Sequence, residues 1–74
     1  MKEKELLEEI KDTLMRDKDL TVEMKLEEIE EWDSLAIISI ISLFDQLFSI
    51  IITTDDINNC KTIKDLINLT QTND

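Results

Sequence analysis

Apolar and polar positions alternate along this chain in rhythms that change from segment to segment. In residues 2–16, Leu6, Leu7, Ile10, Leu14 and Met15 return at spacings of three and four, with Glu and Lys between them. That period predicts an amphipathic helix with one apolar face. Residues 17–33 lose it. Leu20, Val22, Met24, Leu26 and Ile29 are spaced mostly by two or three, which predicts a long loop pinned to the core by these side chains. The run LAIISIISLFDQLFSIII, residues 35–52, is almost wholly apolar. A membrane span needs about 20 nearly uninterrupted apolar residues, and Ser39, Ser42, Asp45, Gln46 and Ser49 interrupt this one. They occupy odd and even positions, so a strand would expose them on both faces. At 100° per residue they fall within about 120° of a helical wheel. The run therefore predicts a helix with one narrow polar stripe.

Leu35 lies four residues before Ser39 and so falls on that stripe as an apolar exception. Two readings fit it: an end residue folded under a neighbouring loop, or an exposed apolar contact offered to a partner. Two shorter helices follow. Thr53-Thr54-Asp55-Asp56 supplies a cap and first-turn acids, and Asn58-Asn59 a stop. Thr62-Ile63-Lys64-Asp65 has the form of a capping box with Asp in place of Glu, and Ile63, Leu66, Ile67 and Thr70 then face inward. Glycine and proline are both absent, which removes Asn-Gly hairpins and favours helices over strands. The expected fold is all-α: a small four-helix bundle, with three main helices, one short helix and a long first loop.

At 74 residues the chain is expected to form a single domain, residues 1–74, with a thin core and no deep cleft. It has no histidine, no tyrosine and one cysteine, so most general acid–base and nucleophilic arrangements cannot be built from it. This composition suits a protein acted upon by others and not an enzyme. The net charge of −10 disfavours nucleic acid and anionic membranes as partners, although it also serves solubility alone. Thirteen of the 18 acids fall in residues 1–33. The chain lacks an EF-hand pattern and its glycine, so no dedicated metal site is expected. Cys60 has no partner for an internal disulfide and suits a small apolar packing role in a reducing cytoplasm. The charged start MKEKELLEEI does not resemble a secretory signal, which again points to the cytoplasm.

Ser34 precedes the apolar run, where a hydroxyl serves well as a helix cap. With no histidine in the chain it is not a self-sufficient nucleophile. A phosphate ester at that position would nonetheless sit in the positive end of the helix dipole, so the physics permits one without requiring it.

Asp33-Ser34-Leu35 opening an apolar helix resembles the attachment motif of the acyl carrier protein family. The likeness runs without gaps through Phe48, Ile52, the Asp55-Asp56 turn and Thr62-Ile63, and the Trp32-Asp33-Ser34-Leu35 form resembles stand-alone carriers of specialised pathways as well as general ones. The resemblance implies that Ser34 receives 4′-phosphopantetheine from coenzyme A through a phosphopantetheinyl transferase. Acyl groups, or aminoacyl groups in some relatives, then travel on its thiol between loading and transfer enzymes. It implies that Asp33 and Leu35 are read by partners, with Ala36 and Ser39 at positions of the docking helix. It also makes Phe48, Ile52, Ile57 and Ile63 candidates for the wall of an acyl pocket, with ordinary core packing an equal reading for all four. A monomer without stable membrane insertion is implied as well; a non-carrying docking module of the same fold is the alternative. Two departures stand out. Glu31 occupies a position where the family usually has glycine, and the helix after the serine carries Ala36, Ser39 and Gln46 where acids are usual, leaving Asp45 alone. The acids crowd instead at Glu27, Glu28, Glu30, Glu31 and Asp33, which suggests a dedicated partner set rather than a housekeeping fatty acid synthase.

Overall fold

The computed structural model describes residues 2–71. Four α-helices and one turn of 3-10 helix follow in order: α1 (Glu3–Thr13), the 3-10 turn (Leu26–Glu28), α2 (Ser34–Phe48), α3 (Thr54–Asn58) and α4 (Ile63–Leu69). This is the small helical bundle expected, with α3 as the short member. α2 lies at the centre, packing on α1 to one side and on α3 to the other. Phe44, Ile10, Ile40, Ile57, Ile63, Leu66 and Ile67 are fully buried, so every α-helix sends at least one side chain into a common core. The Phe44 and Phe48 rings meet edge to face at 6.1 Å and 77°, a favoured aromatic geometry.

Local chemistry accounts for the helix ends. Thr53 with Asp56, and Thr62 with Asp65, form reciprocal capping boxes at the starts of α3 and α4. A shorter Asp thus serves where Glu is usual. α3 stops at Asn58 with Asn59 as its C-cap. Ile63, Leu66 and Ile67 face inward, and half-buried Thr70 donates its hydroxyl to the Ile67 carbonyl at 2.7 Å.

Two expected helices end earlier than the apolar period suggests. The first closes at Thr13 and not at residue 16, because Met15 takes a left-handed conformation with φ 57°. Met15 therefore points away from the core it was expected to join, and is among the most exposed large apolar residues. The third run is helical over Ser34–Phe48 and not over 35–52, because Ser49 is left-handed with φ 55° and its N–H returns to the Asp45 carbonyl. Ile52 is still buried, but it reaches the core from a non-helical segment.

The first loop is held more firmly than side-chain anchoring alone requires. Leu20, Leu26 and Ile29 are buried and Val22 and Met24 half-buried, as the spacing predicts. In addition the loop pairs with the start of α4: Leu26 N–H donates to the Lys61 carbonyl, Ile63 N–H to Met24 and Lys64 N–H to Val22, at 2.9–3.0 Å. The first N–H groups of a helix have no intrahelical acceptor, and here loop carbonyls supply two.

Candidate functional site

The candidate site is the start of α2. Asp33 has extended backbone, φ −143° and ψ −171°, and its Oδ1 accepts the Ala36 N–H at 2.9 Å. Its carbonyl accepts from Ile37 N–H at 3.0 Å, the first bond of the helix. Asp33 is therefore the cap, and the expectation that Ser34 caps α2 is corrected. Both residue types cap well, but only one can occupy the last extended position. Ser34, relieved of that task, stands exposed at the first helical residue, where the helix dipole is positive. An exposed primary hydroxyl at that position suits a covalently attached phosphate ester, because it is accessible and the helix terminus favours negative charge.

Leu35 is 73% exposed, which decides between its two readings: it is not folded under a loop. Ile38, one turn after Ser34, is 59% exposed beside it. The sequence signal for Ile38 was present, since it lies inside the arc spanned by the polar stripe of α2. Its apolar character hid it. Asp45 is the one charged residue of α2.

Asp33, Leu35, Ala36 and Ser39 are brought together by the structure. With Thr13, Leu14, Met15 and Glu31 they line a shallow groove between the end of α1 and the start of α2. Ala36 is buried, so it forms floor rather than rim. Thr13, Leu14 and Met15 are not among the site residues expected from the sequence, and the apolar period assigns Met15 to the core face of the first helix. A second, charged depression adjoins the groove and shares Met15 and Glu31 with it. Glu31 accepts from Arg16 Nη1 at 2.8 Å, and this guanidinium holds the Glu31 carboxyl below its ordinary range.

Phe48, Ile52, Ile57 and Ile63 lie elsewhere. Ile52, Ile57 and Ile63 are buried and Phe48 half-buried within the common core, and none of them lines the groove beside Ser34. Cys60 is half-buried, with its Sγ 3.4 Å from the Asp56 carbonyl. Burial, followed by the nearby Asp65 and Asp56 charges, pushes its thiol pKa up, the opposite of an activated cysteine. Among the described residues no group of three or more His, Cys, Asp or Glu is placed to hold a metal ion, and no helix is long and apolar enough to cross a membrane.

Comparison with known proteins adds one finding. The profile of the family described as "phosphopantetheine attachment site" matches residues 4–70, most of the chain. No curated protein and no solved structure matches it significantly.

Proposed function

The chain belongs to the phosphopantetheine attachment family of carrier domains, and from that premise we propose that Ser34 is its attachment residue. The observation that carries this reading is the division of labour at the start of α2: Asp33 takes the capping hydrogen bond, and the neighbouring hydroxyl is left exposed. The group of this family is 4′-phosphopantetheine. In the loading step a transferase joins Ser34 Oγ to the phosphorus of the phosphopantetheinyl group of coenzyme A. The phosphoanhydride bond breaks, adenosine bisphosphate leaves, and the transferase takes the hydroxyl proton, since this chain has no histidine to do so. When bound, the group supplies a thiol on which acyl chains are carried as thioesters. The protein's own part is to hold Ser34 at a helix start and to present an address beside it.

The sparse charge of α2 supports service to a dedicated fatty acid, polyketide or other specialised pathway rather than a housekeeping synthase. Asp33 and Leu35 flank Ser34, and with Ser39 they form the recognition surface, above the buried Ala36. Carriage of an aminoacyl or peptidyl group is the second reading of the cargo. The buried Ile52, Ile57 and Ile63, with Phe48, serve packing first and border a bound chain only if the core opens.

The test is mass spectrometry after incubation with coenzyme A and broad-specificity transferases. Gain of one phosphopantetheine by the parent and none by Ser34→Ala is expected. A protein left unmodified by several transferases, and unmodified in its natural source, is a docking module and not a carrier.

A further inference from the structure

α1 ends in a conformation its sequence does not favour. Met15 N–H donates to the Asp12 carbonyl and Arg16 N–H to the Lys11 carbonyl, at 3.0 and 3.1 Å, so the chain reverses with Met15 at φ 57°. Glycine or asparagine is usual there, because a Cβ crowds the backbone in the left-handed region. The side chain gains no burial in return, being 88% exposed. Non-glycine residues held in disfavoured backbone regions collect at functional positions. Met15 stands at one wall of the groove whose other wall includes Leu35, with Leu14 and Ala36 in its floor.

We propose that this groove receives an apolar side chain of the enzymes that act at Ser34, with Met15 as the contact across from Leu35. The proposal rests on Ser34 being the attachment residue. The location follows from reach: an enzyme that closes on Ser34 Oγ covers Asp33 and Leu35, and both line the groove. The chemistry of the occupant follows from what the surface offers. α2 has one charged residue, Asp45, eleven positions after Ser34, so charge contributes little to docking along the helix. Leu35 and Met15 are exposed, and a thioether adapts its shape to varied apolar partners. Glu31 and Asp33 lie at the same groove. With Glu31 already paired to Arg16, Asp33 favours a lysine or arginine next to the apolar anchor.

Met15→Gly makes a clean test, because glycine suits φ 57° and the variant is expected to be at least as stable as the parent. Met15→Asn, which also tolerates this region, is the companion variant. With a broad-specificity transferase and the apo protein, both variants should raise KM roughly fivefold or more and leave kcat close to the parent value. Ile51→Ala, which truncates an equally exposed apolar residue outside the groove, should change neither. Unchanged KM for the Met15 variants, or an equal rise for Ile51→Ala, overturns the proposal. So does a Met15 methyl resonance that moves on loading alone and not on adding transferase to the apo protein, for the prosthetic arm would then occupy the groove. A parent protein that accepts no phosphopantetheine at all sinks the assignment of Ser34 and, with it, this docking site; a parent that loads normally isolates the test to Met15.

Discussion

Arg16 Nη1 lies 2.8 Å from Glu31 Oε1, so residues at the two ends of the first loop are tied directly to each other. Arg16 Nε also donates to the Lys18 carbonyl, and its side chain is largely buried. Glu31 stands two residues before the cap of α2. The Arg16–Glu31 pair thus fixes the far end of the first loop just ahead of Ser34.

Acidification should reveal that pair. The guanidinium depresses the Glu31 pKa in the folded state, below an unfolded carboxylate value of about 4.3. A depressed folded pKa contributes stability that is present above the unfolded value and lost as pH falls through the folded one. The urea midpoint of the parent should therefore fall as the pH drops below about 4.3, and Glu31→Gln should start lower at neutral pH and fall less. Parallel curves for the two proteins would show that the pair contributes nothing.

Asp33 has a capping role that is separable from its charge. Asp33→Ala should lower stability by about 1 kcal/mol, a fall in Tm of roughly 4–8 °C for a domain this small. Asp33→Asn keeps an acceptor for the Ala36 N–H and should melt close to the parent. If the transferase reads the charge, the Asn variant should still load slowly. Equal melting of all three proteins removes the capping role.

Ser49 ends α2 at φ 55°, with its side chain exposed. Ser49→Gly removes a Cβ from the left-handed region and should raise stability by about 0.5–1 kcal/mol, after the greater freedom glycine gives the unfolded chain. Thermal melting by circular dichroism reads this directly, and a lower Tm would mean that the hydroxyl makes a needed contact.

Service to a dedicated pathway predicts poor elongation on this carrier by a housekeeping fatty acid synthase, relative to a conventional carrier with an acidic helix after the serine. The crowding of acids before Ser34 predicts a Tm that rises with salt as repulsion is screened. Comparable elongation rates, or a Tm independent of ionic strength, would remove the respective claim.

The order and kind of the helices were legible in the sequence because apolar period, caps and the lack of glycine agreed. The caps at Thr53 and Thr62, and the anchors Leu20, Leu26 and Ile29, needed only local patterns. The Asp33-Ser34-Leu35 string that carries the family resemblance was legible too, as a run of residue types. What the sequence determined by itself is thus the helical class, the place of Leu35 on the polar stripe and the family, whereas the exposure of Leu35 was settled by the fold. Only the tertiary structure decided where α1 and α2 stop, because Met15 and Ser49 adopt backbone angles that no periodicity encodes. It also gave the cap to Asp33 and left Ser34 free, a choice between adjacent residues that turns on a single extended φ and ψ. The groove beside Ser34 belongs wholly to the fold. Met15 and Leu35 lie twenty positions apart, and they line one groove because α1 packs on α2 and the chain reverses where α1 ends.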